Sequence, residues 1–141
     1  MTKEATIFLQ HILDSIELIE KRIAGITYNK FIQDVDLQDM IIRRLEVSLE
    51  VIGEAVRNLP KEFRDEHSDI DWQDPADMRS ALIHGYFAVD LDVVWDTISN
   101  DLPAFKKQIL RLLKDLNAVE GEVVEEAASA ESGEPEEKKP E

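Results

Sequence analysis

The sequence predicts an all-α protein, an antiparallel four-helix bundle with a short extra helical turn and an acidic, disordered C-terminal tail. Three observations carry that prediction. Apolar residues recur at steps of three and four along nearly the whole chain, no segment sustains the period-two alternation of a strand, and the connections between periodic stretches are short.

The first stripe, Ile7, Ile12, Leu13, Ile16, Ile19 and Ile23, predicts a helix that stops at Gly25, a residue tolerant of the left-handed backbone found at helix ends. From "TYNKFIQDVDLQDM" a second helical stretch opens, with Leu37, Ile41, Leu45, Leu49, Ile52, Val56 and Leu59 as its core face. Pro60 ends it, because an interior proline lacks an amide hydrogen and clashes with the preceding turn. The polar segment "KEFRDEHSDIDWQD" predicts a helical turn around Phe63 and a loop through Trp72. A third helix starts at "DPADMRSALIHGYF", where Asp74 is suited to cap, Pro75 to the first helical position and Asp77 to the positive end of the helix dipole. Asp90 is a further cap, followed by Leu91, Val94, Trp95 and Ile98, and the stripe resumes beyond Pro103 with Phe105, Ile109, Leu112, Leu113 and Leu116. Trp72 and Trp95 read as packing anchors.

The chain has 141 residues and divides into one domain, residues 1–117, and a tail, residues 118–141. The tail has nine acidic residues against two lysines. Its "AASAESGEPEEKKPE" contains no large apolar side chain to offset the entropy of ordering. The remaining 117 residues are also acidic, with a net charge of −8. That balance argues against a broad duplex surface, and so against DNA as a partner, because such binding rests on Lys and Arg neutralising phosphates. RNA contact then requires a local basic cleft. With no cysteine, thiolate metal sites and disulfides are excluded, and no apolar run reaches the roughly 20 residues of a membrane span. A soluble, cytoplasmic protein without membrane contact is expected. His11 and His67 lack partners at metal-ligand spacing and read as surface or helix-end residues, so neither a metal nor another cofactor is expected.

The residues with useful chemistry lie in "MRSALIHGYFAVD". On an ideal helix Arg79 and His84 diverge by about 140°. Two routes bring them to one target. Gly85 can turn the chain directly after His84, or two copies can face each other across a two-fold axis. The sequence does not choose between them. A histidine near neutral pKa can take or give a proton, an arginine can hold phosphate oxygens bidentately, and Tyr86 can orient a phosphate or stack on a base. Each residue also has a plain structural role. Arg79 can be a surface helix residue, His84 a C-terminal cap, and Tyr86 with Phe87 a core pair. Arg43, Arg44 and Arg57 can line a cleft or simply pair with Glu46, Glu50 and Glu54 at helical spacing.

"RSALIHGY" is Arg, four residues, His, one residue, Tyr. It resembles the R-x4-H-x-Y signature of the HEPN superfamily, and more narrowly that of the HepT-like ribonuclease toxins. "RRLEVSLEVIGEAVRNLPKEF" is similar to that family's second helix and "HGYFAVDLDVVWDTISNDLPAF" to its motif exit and last helix, and with Trp72 ahead of the motif helix the likeness covers most of residues 5–117. The resemblance implies a HEPN-type four-helix bundle and a homodimer with both motifs in one cleft. It implies RNA cleavage without metal by Arg79 and His84, with Ser80 and Gly85 in support. It further implies a type VII toxin–antitoxin pair, in which a nucleotidyltransferase antitoxin transfers AMP to Tyr86. The family commonly carries Asn or another polar amide or acid after the motif arginine. Ser80 keeps a hydrogen-bonding group there but shortens its reach. The other reading, from a different class, is a non-catalytic helical dimer that binds a nucleotidyltransferase partner or a nucleotide.

Overall fold

The computed structural model describes residues 2–83 and 90–132, with side chains over 3–82 and 90–117. His84, Gly85 and Tyr86 lie outside the described residues, as do residues 133–141. Among the described residues every regular element is helical. The expected all-α bundle is what forms.

Helix α1, Thr2–Ile23, buries Ala5, Leu9, Ile12, Leu13, Ile16 and Ile19. Ile7, expected on this stripe, is 52% exposed. It stands two residues from Leu9, about 200° around the helix, and so faces outward. Lys21 and Arg22 occupy the last turn, where cations oppose the negative end of the dipole. Gly25 takes φ +79°, and the Ile26 amide donates to Ile23 O at 3.0 Å, reversing the chain.

The second predicted stretch is two helices. Helix α2, Tyr28–Gln33, starts where Thr27 Oγ1 accepts from the Lys30 amide, and it buries Phe31. Asp34 leaves helical geometry at φ −120°, ψ 102°, ends α2, and caps α3, Val35–Asn58, by accepting from the Leu37 amide at 3.0 Å. A capping carboxylate offers the backbone a competing bond, and that breaks a pattern periodicity alone reads as continuous. Helix α3 buries Ile41, Leu45, Ser48, Leu49, Ile52, Ala55 and Val56, while Leu37 is only partly covered. Its end comes at Leu59, buried just before Pro60.

Helix α4, Lys61–Glu66, is the expected short turn and buries Phe63. Trp72 anchors the following loop, its indole N–H donating to His67 O at 3.1 Å and its ring packing near Phe63. Helix α5, Asp74–Ile83, then carries the first part of the motif.

Helix α6, Leu91–Asp96, is capped by Asp90, whose Oδ1 accepts from the Asp92 amide at 3.0 Å. It passes through a π-helical turn, Thr97–Asp101, into α7, Leu102–Ser132, without leaving helical geometry. Pro103 falls in the first turn of α7, so it does not divide two helices. The Leu102 amide reaches back five residues to Thr97 O, and this wider turn directly precedes a proline that cannot donate. Thr97 is buried, its hydroxyl donating to Val93 O at 2.8 Å. Trp95 stacks on Phe31 with centroids 5.2 Å apart, holding α2 against α6.

Helix α1 packs on α3 and α7, and α3 packs on α5. Lys106, early in α7, donates to Glu20, late in α1, at 2.7 Å, so these helices run antiparallel. Phe8 and His11 of α1 share a groove with Asn58 at the far end of α3, giving α1 and α3 the same relation. Burial of about 25 cal/mol per Å2 along these shared faces is what holds the bundle.

Candidate active site on the motif helix

Pro75, Met78 and Leu82, spaced three and four apart, are the buried side of α5. Arg79, Ser80 and Ala81 are exposed, Ser80 opposite that stripe and Arg79 at its border, four residues on from Pro75. The helix begins one step earlier than its cap signal suggests. The Asp77 amide donates to Gln73 O at 3.0 Å, so the first turn closes on Gln73, with Asp74 and Pro75 already helical. Asp71 does the local capping, its Oδ1 accepting from the Gln73 amide at 3.1 Å.

Among the described residues no carboxylate lies within ion-pair distance of Arg79. Its guanidinium is carried on a helix pinned from below by Met78 and Leu82. Backbone helicity persists through Ile83. The relation of Arg79 to His84 and Tyr86 lies outside the described residues.

The face of α5 toward α6 carries an open cavity of about 320 Å3 that sequence reasoning did not anticipate. Its carboxylates are Asp74 and Asp77 from α5, Asp92 and Asp96 from α6, and Asp101 from the π-turn. Arg79 does not line it. Partial burial raises Asp74 above the ordinary carboxylate value, with the charges of Asp71, Asp101 and Asp77 adding to the effect. Burial likewise raises Asp101, with Asp96 behind it. The repeated aspartates after Asp90 were visible in the sequence. That they face Asp74 and Asp77 depends on how α5 meets α6, which no local pattern encodes. Such a surface repels phosphate.

The three arginines of α3 divide. Arg43 pairs with Asp39 at 3.0 Å and Arg57 with Glu54 at 2.6 Å, both exposed. Arg44 is half-buried and has no ion pair among the described residues. His11 is exposed with its ring edge-on to Phe8, and His67 closes α4 against Phe63. Among the described residues no group of three or more His, Asp or Glu side chains is arranged to hold a metal ion, and no helix is long and apolar enough to cross a membrane.

Comparison with known proteins bears on the family. The family model "Ribonuclease HepT-like" matches residues 12–112. A Methanocaldococcus jannaschii protein named "Gamma-glutamylcyclotransferase and putative RNase" is 44% identical over 83% of this chain, which spans 51% of that longer protein. A Caldanaerobacter subterraneus protein named "Putative RNase" is 43% identical over 76% of this chain and 92% of its own length. A Thermococcus cleftensis protein named "Probable ribonuclease HepT" is 40% identical over 76% of this chain and 94% of its own length. No solved structure matches the chain. The helical bundle and the family match over residues 12–112 agree that this chain belongs to the HepT-like ribonuclease family.

Proposed function

We propose that the protein is a metal-independent endoribonuclease, the toxin of a type VII toxin–antitoxin pair. It works in the cytoplasm as a homodimer in which Arg79 and His84 of both copies serve one cleft. The observation that carries this reading is the intact R-x4-H-x-Y motif inside the region matched by the ribonuclease family.

In the proposed reaction one His84 takes the proton from a ribose 2′-hydroxyl, and that oxygen attacks the adjacent phosphorus. The bond from phosphorus to the 5′-oxygen breaks, and the His84 of the other copy supplies the departing oxygen with a proton. Arg79 grips the non-bridging oxygens where negative charge grows. Its exposed position on α5 suits that task. Ser80 and Gly85 support the site, Ser80 as a short hydrogen-bonding group and Gly85 as the turn. Tyr86 is the acceptor of AMP from a nucleotidyltransferase antitoxin, and the added bulk and negative charge would close the cleft to RNA.

The test is cleavage of a mixed RNA substrate in EDTA by wild-type protein and His84→Ala, with intact mass recorded for both. Cleavage by the wild type alone supports the reading. Wild-type protein that carries no AMP and cuts nothing overturns it in favour of a non-catalytic module binding the nucleotidyltransferase partner. An AMP-sized mass on the wild type that is absent from Tyr86→Phe identifies the acceptor.

A further inference from the structure

Arg22 and Arg44 stand apart on a chain with 31 acidic residues against 16 basic ones. A helical arginine reaches side chains three and four residues away. Arg44 has only Met40, Ile41, Val47 and Ser48 at those positions, and Arg22 likewise has no acid at that spacing. Among the described residues neither makes an ion pair.

The two arginines nevertheless meet. Arg22, in the last turn of α1, and Arg44, in the third turn of α3, line one open hollow of about 350 Å3 with Met40, Arg43 and Val47. Among the described residues no carboxylate lines it. Glu17 and Glu20 of α1 are drawn to Lys106 of α7, at 4.0 and 2.7 Å, and Asp39 is held by Arg43 at 3.0 Å. Apolar surface is offered beside the charge, with Met40 40% and Val47 47% exposed.

Two unneutralised guanidiniums beside exposed thioether and methyl groups fit an anion that also carries apolar surface. Single-stranded RNA has both, phosphate oxygens for the planar two-point grip of arginine and unstacked base faces for Met40 and Val47. The position suits the same ligand. Ala81, late in α5, shares a cavity with Asp92 at the start of α6, and Asp92 is bonded to Tyr28 of α2, between the end of α1 and the start of α3. The motif helix therefore runs toward the end of the bundle that carries Arg22 and Arg44.

We propose that this hollow is an RNA exosite, in which Arg22 and Arg44 hold phosphates of the single strand flanking the scissile bond. Arg43, already engaged by Asp39, contributes less. The proposal rests on the ribonuclease reading above and adds to it a binding site outside the motif.

Two measurements test it, with circular dichroism confirming that each variant folds. In the first, a labelled single-stranded RNA of mixed sequence is titrated with His84→Ala protein, which leaves it uncut, over a range of salt. Changing both Arg22→Gln and Arg44→Gln in that background should raise Kd roughly tenfold or more and reduce the slope of log K against log salt by about 1.4, the loss of two single-strand phosphate contacts. Arg22→Lys with Arg44→Lys, which keeps the charge, should retain most of the slope. In the second, the paired Gln exchange in otherwise wild-type protein should raise KM for long RNA, leave kcat unchanged and leave cleavage of a dinucleotide as in the wild type.

Unchanged affinity and slope overturn the exosite and leave the ribonuclease reading standing. An equal loss on the dinucleotide also overturns it, by placing the arginines' effect at the reacting bond. Arginine-dependent binding by AMP-free wild type that cuts nothing keeps the hollow as an RNA site and overturns the ribonuclease reading instead. Displacement by inorganic phosphate or poly-glutamate as readily as by unlabelled RNA, at matched charge, would make the hollow a site for small anions or acidic peptides and overturn RNA as its occupant.

Discussion

The Tyr28 hydroxyl donates to Asp92 Oδ1 at 2.6 Å, tying the first turn of α2 to the first turn of α6. The tyrosine ring also lies edge-on to Trp95, with centroids 5.9 Å apart. Together they fasten the helix that follows the motif segment to a part of the chain more than 60 residues earlier.

That bond needs the phenol protonated, and it raises Tyr28 above its ordinary pKa of 10.0, with Asp92 as the first cause. The folded value is the higher one, so the stabilisation is complete below about pH 10 and is lost as pH rises through the folded pKa. Tyr28→Phe should therefore lower the melting temperature slightly at neutral pH and flatten its fall in alkali. Melting curves of both proteins between neutral pH and about pH 11 decide the matter, and parallel curves would remove the bond from any part in stability.

Asp34 gives the opposite sign. The Leu37 amide holds its carboxyl below the ordinary 3.8, Lys30 at 3.4 Å assists, and partial desolvation opposes them. Here the folded pKa is depressed. The stabilisation is present above the unfolded value and disappears as pH falls through the folded one. Asp34→Ala should lower the melting temperature at pH 7 and much less at about pH 2, whereas Asp34→Asn, which still caps, should retain most of the neutral-pH stability.

The contrast between Ile52 and Ile7 tests the inner surface of the bundle. Ile52 is fully buried on α3, so Ile52→Ala should cost about 2–5 kcal/mol through lost transfer energy and the cavity left behind. Ile7 faces solvent, and Ile7→Ala should stay within about 0.5 kcal/mol. Urea unfolding at constant m-value measures both.

These residues also show what the sequence made legible. Period and punctuation located the core, since Ile12, Ile16 and Ile19 and the α3 stripe from Ile41 to Val56 are buried as their spacing predicts. Asp90 caps α6, and Pro60 follows the end of α3. Failures occurred where a side chain competes with the backbone or where two distant segments meet. Asp34 cuts a helix that apolar spacing reads as continuous, because capping is decided by one carboxylate and leaves the period intact. The π-turn before Pro103 keeps α6 and α7 joined where proline alone suggests a break. For the site, the motif spelled out its residue types, and α5 leaves Arg79 exposed. The carboxylate cavity was hidden because its two walls come from different helices.

Arg79 separates the catalytic role from a surface one. Exposed on α5 and without a carboxylate partner among the described residues, it contributes little to folding, so Arg79→Ala should leave the melting temperature within about a degree. If it grips the phosphate in the transition state, the same change should slow RNA cleavage on the order of a hundredfold or more. Arg79→Lys keeps the charge but loses the planar two-point grip, so it should recover only part of that loss and recover it mainly in substrate binding. Single-turnover cleavage by wild type, Arg79→Lys and Arg79→Ala, with melting curves alongside, gives the answer. Equal rates in all three would return Arg79 to the role of a solvated helix residue, whereas a graded loss at constant stability places its guanidinium on the reacting phosphate.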